Sequence, residues 1–177
     1  KITDEAARLT GLKAGTPVVG GCMDTIGASL GTGVLDEGQC FIIMGTAARV
    51  AGPVKTDRFD PRFMNCTHIS DNCWQYIGAI NGVGSALRWV RDNFGQMEQQ
   101  EADRSDGNVY DLITAQATDS PPGSKGLLFL PYLAGERTPI WDPYARGVFF
   151  GVTLGHNRGD FFNSVLEGAA FAIRHVV

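Results

Sequence analysis

The chain has 177 residues, 44% of them hydrophobic, and a formal net charge of -4 with no basic cluster. This excludes a surface built for nucleic-acid phosphates, and no apolar run approaches the roughly 18 residues that a membrane-spanning helix needs. A soluble globular chain of one domain or parts of two, cytoplasmic by default, is the expectation.

In chain order, residues 4–9 read as the end of a helix, and Gly15-Thr16-Pro17 is turn chemistry. Pro17-Val18-Val19-Gly20-Gly21-Cys22-Met23 predicts a strand, and Asp24 closes it, ahead of a small-residue stretch that predicts a weak helix over about residues 25–32. A carboxylate between strand and helix sits at the carboxyl edge of a sheet, where open α/β folds place ligands. Asp24 is therefore the leading candidate for chemistry; the competing reading is an aspartate that caps its own helix.

Asp36-Glu37-Gly38 makes a turn before the apolar run Cys40-Phe41-Ile42-Ile43-Met44, which predicts a buried strand ending at Gly45-Thr46. Residues 49–54 return antiparallel, and residues 73–80 supply a third strand rich in aromatic and β-branched side chains. Val83, Leu87, Val90 and Phe94, spaced by four, three and four, predict a helix over 84–94. The polar run 96–107 reads as an exposed loop, residues 110–118 as a short helix, and Pro121-Pro122-Gly123 as a break.

Residues 127–130 form a buried strand stopped by Pro131. The long loop 132–147 carries Glu136, Arg137, Asp142 and Arg146, read as ion pairs that staple it, with Trp141 packed beneath. Asp160 is placed as the N-cap of a final helix whose buried stripe is Phe162, Leu166, Ala169, Ile173 and Val177. Cys22, Cys40, Cys66 and Cys73 read as buried thiols rather than zinc ligands, and His68, His156 and His175 are too scattered for a relay. Lys1 stands where an initiator Met would, and Val177 ends inside a periodic helical stretch, so the sequence reads as a piece of a larger protein. The element order fits an α/β fold with a mixed sheet and a three-stranded meander, not a dinucleotide-binding alternation.

The run Gly147-Val148-Phe149-Phe150-Gly151-Val152, followed after seven residues by Asp160-Phe161-Phe162-Asn163-Ser164-Val165-Leu166-Glu167, resembles the second signature of the FGGY carbohydrate kinases. Leu130-Pro131-Tyr132-Leu133-Ala134-Gly135-Glu136-Arg137-Thr138-Pro139, Gly15-Thr16-Pro17-Val18-Val19 and Met44-Gly45-Thr46 extend the resemblance, towards the xylulokinase branch, over nearly the whole chain.

The resemblance implies an actin-like ATPase fold in which two ribonuclease-H-like domains face each other across a cleft for sugar and ATP. Residues 1–35 would be the last strand and helix of the first domain, and residues 36–177 the opening part of the second, nucleotide-binding domain. It implies ATP and Mg2+ as cofactors, sugar and ATP as partners with no nucleic acid or membrane, and it allows a homodimer. Carried over, Asp24 matches the general base that accepts the proton of the attacking sugar hydroxyl. Gly45 and Thr46 match the second phosphate loop, and Gly84 and Arg88 match a nucleotide-contacting glycine and a polar side chain one helical turn later, at a helix start with bare backbone N–H groups. Thr25, where many pentulose kinases carry Asn, is a substrate-binding candidate with a different reach and donor pattern. Xylulose is the leading substrate, with ribulose, gluconate or a tetritol open beside it. A non-catalytic actin-like ATP-binding module is the alternative class. A P-loop kinase is excluded because Gly-x-x-x-x-Gly-Lys-Ser/Thr does not occur.

Overall fold

The computed structural model describes residues 1–56 and 59–177. Two short helices, Asp4–Thr10 (α1) and Asp24–Thr32 (α2), precede the strands Phe41–Met44 (β1), Ala48–Val54 (β2), Met64–Thr67 (β3) and Trp74–Ile80 (β4). These strands pair antiparallel in the order β1-β2-β4-β3. β2 and β4 are paired along their full length, from Ala48 opposite Ile80 to Val54 opposite Trp74. The side-chain period of two sends Ala48, Val50 and Ile80 to one face, where they meet Ala172 and Val176 of the last helix.

Three helices follow, Gly84–Phe94 (α3), Gln96–Ser105 (α4) and Val109–Thr118 (α5), then Leu128–Leu130 (β5) and Val148–Phe150 (β6), paired with each other, and Arg158–Val176 (α6). α3 begins and ends where its periodicity predicts. Its Ala86 and Val90 join Ile113, Phe129, Phe162 and Val165 in a second core. α6 thus packs against both cores and links the sheet to the helical layer.

The structure corrects several expectations. Residues 17–23 are not a strand: no described strand lies alongside to accept a ladder, and Val18 and Val19 are 59% and 87% exposed. The run 96–107 is mostly helix, not loop. Gln96, Met97, Glu98 and Ala102 are good helix formers, and buried Glu98 is held by the Arg158 guanidinium and by Gln116. Strands β3 and β6 are too short to stand out in the sequence.

The N-cap of α6 is Asn157, not Asp160. Asp160 is the third residue of a capping box, accepting from the Asn157 N–H at 2.8 Å while the Asn157 side chain accepts from its own N–H. The buried stripe of α6 runs through Phe162, Val165, Ala172 and Val176, rolled from the expected line. Gly168 is the cause: the Phe129 carbonyl lies so close to it that a Cβ would overlap, so the line of closest approach passes through residue 168. Of the four thiols only Cys73 is buried; Cys66 is half-buried, and Cys22 and Cys40 are exposed.

Candidate functional site

Asp24 is the first residue of α2, with Met23 in extended conformation at the N-cap. Its side chain is exposed, as a carboxylate at the positive end of a helix can be without cost. One carboxylate oxygen, Oδ1, accepts from the Thr25 backbone N–H at 2.6 Å and from the Thr25 hydroxyl at 3.1 Å. Oδ2 accepts no hydrogen bond from the described residues. Thr25 itself is 1% exposed, so its hydroxyl is turned to Asp24 and not to solvent.

A cleft of about 610 Å³ lies beside α2, lined by Gly20, Gly21, Ile26, Leu30, Cys66 and His68 among others. His68, just past β3, is 8% exposed and meets the buried Ser29 of α2 at 3.2 Å. Reading the histidines as merely scattered missed this contact. The contact joins positions 39 apart, so no local pattern in the sequence announces it.

The hairpin between β1 and β2 turns at residues 45–47, closed by Gly45 N–H donating to the Ala47 carbonyl at 2.9 Å. Gly45 and Thr46 are both exposed at its tip. A Cβ on Gly45 would meet nothing closer than the Ala47 carbonyl at 3.9 Å, so no neighbour within the chain requires a glycine there.

The start of α3 packs directly on this tip. Gly84 N–H donates to the Gly45 carbonyl at 3.1 Å and Ser85 N–H to the Thr46 carbonyl at 2.9 Å. The first N–H groups of α3 are thus occupied by the hairpin, contrary to the bare helix start expected from the sequence. A Cβ on Gly84 would collide with the Gly45 carbonyl, which explains the glycine by close backbone approach. Arg88, one turn on, is exposed, and its side chain makes no hydrogen bond or ion pair with the described residues.

An apolar groove of about 400 Å³ opens beside the tip, lined by Met44, Gly45, Gly84, Leu87, Leu166 and Ala169 among others. The structure therefore unites Gly45, Thr46 and Gly84 in one constellation with Arg88 on its flank. Asp24 and Thr25 form a separate one, with no hydrogen bond between the two.

The loop 132–147 is not stapled by ion pairs among Glu136, Arg137, Asp142 and Arg146. Glu136, 3% exposed, accepts the N–H groups of Asn81 and Arg137 at 2.9 and 2.8 Å, and Arg137 donates to the Asn81 side chain at 2.9 Å. Glu136 and Asp142 pair through backbone at 2.9 and 3.0 Å, and Arg146 donates to carbonyls of its own loop. Trp141 donates to the Arg62 carbonyl at 2.7 Å and fastens the loop to the segment before β3.

The family model for the FGGY carbohydrate kinases, C-terminal domain, matches residues 29–177. A gluconokinase from Bacillus subtilis is 36% identical over 94% of this chain and 33% of its own length. A xylulose kinase from Lactococcus lactis is 31% identical over 89% of the chain and 30% of its own length. The crystal structure of a xylulose kinase from Rhodospirillum rubrum superposes with a TM-score of 0.83 and 35% identity, covering 98% of this chain and 33% of that one. The chain spans about a third of the length of the relatives it matches. Its strands and helices are part of the actin-like fold of those kinases, but the described strands pair only antiparallel, not in the mixed sheet expected from the element order.

Proposed function

Because the chain belongs to the FGGY family of carbohydrate kinases, we propose that it forms part of an ATP-dependent sugar kinase, with Asp24 as the general base. The observation that carries this reading is the carboxylate of Asp24. One oxygen is fixed by Thr25, and the other is left to take a proton from a sugar hydroxyl as it attacks the γ-phosphate. Phosphoryl transfer depends mainly on positioning and charge stabilisation, so a fastened carboxylate at a helix start is the part such a reaction needs.

The second constellation takes the nucleotide. The open space at Gly45 lets phosphate oxygens approach the backbone, and the exposed Thr46 hydroxyl donates to them. Gly84 holds the hairpin tip in place from behind, the apolar groove beside it accepts the nucleoside, and Arg88, exposed one helical turn on, is the candidate polar contact. Among the described residues no three His, Cys, Asp or Glu side chains converge on a metal position. A Mg2+ ion arriving with the nucleotide would be held by the ATP phosphates and water and would neutralise charge on the transferred group.

Residues 1–35 belong to one domain and residues 36–177 to the next in this reading, so that Asp24 and the hairpin face a common cleft. A pentulose such as xylulose is the first substrate class, supported by the xylulose kinase relatives. Gluconate is the second, supported by the 36% identical gluconokinase. In both cases Thr25 acts on substrate through the carboxylate it holds. The test is a panel of xylulose, ribulose, gluconate and tetritols with ATP and the full-length protein that carries this chain, in wild-type and Asp24→Asn forms. Phosphorylation of one panel member that collapses in the variant, with ATP binding kept, supports the reading. Turnover unchanged by the substitution overturns it.

A further inference from the structure

α2 is a nine-residue helix that buries only Thr25, Ile26 and Ser29. With one apolar side chain among those three, packing alone defines its rotation about its own axis weakly. The strongest specific contact on that face is polar. Ser29 is fully buried and meets the His68 Nε2 at 3.2 Å.

The network around His68 settles where its proton lies. The Ser70 N–H donates to Nδ1 at 3.1 Å, so Nδ1 carries a lone pair and the proton is on Nε2. The Ser29 hydroxyl donates to the Val34 carbonyl, which leaves its oxygen to accept from Nε2–H. The bonds run in one direction from the ring through Ser29 to the backbone that follows α2. The residue is itself anchored through its backbone, because the His68 main-chain N–H donates to the Cys73 carbonyl at 2.9 Å in the β3–β4 hairpin. Burial pulls the imidazole pKa below its usual value, which keeps the ring neutral at neutral pH.

We propose that His68 is a positioning residue for Asp24: the Nε2–H bond to Ser29 sets the roll of α2 against the sheet and so aims the carboxylate at the head of the helix. The inference rests on the reading of Asp24 as the base. The lever is short and stiff, since Ser29 lies about 7.5 Å along the axis from Asp24 at 1.5 Å per residue. A roll of about 20° displaces a carboxylate about 6 Å from the axis by about 2 Å, given the helix diameter with side chains. Misplacement by about 1 Å is enough to cost as much as a hundredfold in rate. His68 also bridges residues on either side of the proposed domain division, so α2 is aimed from the sheet of the nucleotide-binding part.

Nitrogen-15 NMR of the full chain tests the geometry directly. The expected spectrum shows Nδ1 unprotonated and Nε2 protonated. His68→Leu shifts the Asp24 and Thr25 amide resonances while those of α3 and α5 stay in place. His68→Gln, whose amide can donate to Ser29, keeps the Asp24 and Thr25 resonances near their wild-type positions. If His68→Leu does not fold, Ser29→Ala removes the same bond from its other end and must produce the same shift. In the full-length protein, His68→Leu lowers kcat about tenfold with the sugar KM within about twofold, and His68→Gln restores most of the loss. A proton on Nδ1, unmoved Asp24 and Thr25 amides in both disrupting variants, or equal kcat losses in the Gln and Leu variants would each overturn the proposal. Failure of the base assignment reads differently: Asp24→Asn then keeps its turnover while the His68 spectra come out as expected.

Discussion

Thr25 donates both its backbone N–H and its hydroxyl to a single oxygen of Asp24, at 2.6 and 3.1 Å. A side chain that is itself 1% exposed therefore orients one that is exposed. The pair divides the carboxylate into a fastened oxygen and an available one.

Thr25→Val keeps the buried shape and removes the hydroxyl donor. A hydrogen bond to a charged group is worth about 1.5–3 kcal/mol, but only the part that aims the carboxylate bears on rate, so kcat is expected to fall about tenfold. Thr25→Ser keeps the donor and holds kcat near wild type. Steady-state kinetics of the full-length protein with its preferred sugar measures both, and equal rates for the Val and Ser variants would show that the hydroxyl does not matter.

Gly84→Ala is expected to weaken ATP binding and lower thermal stability together. In an ordinary helix the change favours folding by up to about 1 kcal/mol, because alanine has the higher propensity. Here the new methyl meets the Gly45 carbonyl, so either α3 or the hairpin tip must move. Thermal unfolding with and without an ATP analogue reads out both effects, and a variant with higher Tm and unchanged nucleotide affinity contradicts the packing described.

Asp160 contributes to the acid limb of the stability curve. The Asn157 N–H beside it, with Lys125 and Ser120, lowers its pKa to about 2 against the opposing effect of burial. A carboxylate depressed in the folded state binds its proton first in the unfolded chain. Its contribution is therefore complete above the ordinary carboxylate range, and falls away as pH drops from there towards about 2. Asp160→Asn should be less stable at neutral pH and should lose less between pH 5 and pH 2 than the wild type, as followed by urea unfolding. An identical pH slope in both would remove Asp160 from the account.

The 177-residue chain expressed alone is expected to phosphorylate no sugar, because it spans about a third of the length of kinases that act as whole proteins. A coupled assay for ADP release over the same sugar panel checks this. Product formed by the isolated chain would show that the chain carries a complete site.

Much of the helical layer was legible because its signal is local. The Val83, Leu87, Val90 and Phe94 spacing defines α3 without knowledge of what it packs on, and the hairpin strands announce themselves as apolar runs separated by Gly45-Thr46. α4 was hidden because its burial is charged. Glu98 looks like a solvent residue until Arg158, sixty positions later, is brought beside it. The stripe of α6 was read one step out of phase, since a glycine that admits another backbone carries no hydrophobic signal of its own. In the site, Asp24 stood out through its neighbours in sequence, whereas the Ser29 to His68 bond joins positions 39 apart and has no local signature. The contact between the hairpin tip and α3 was equally silent, being made of main-chain atoms.

β1 is the outermost strand of its sheet, and Ile42, Ile43 and Met44 along it are 45%, 40% and 68% exposed. One row of its amide and carbonyl groups faces away from β2, in a run that carries no charge and no proline. Such an edge templates the addition of a further strand. The chain in isolation is therefore poised for colloidal self-association, with light scattering that rises with concentration and that a single lysine at position 43 should suppress.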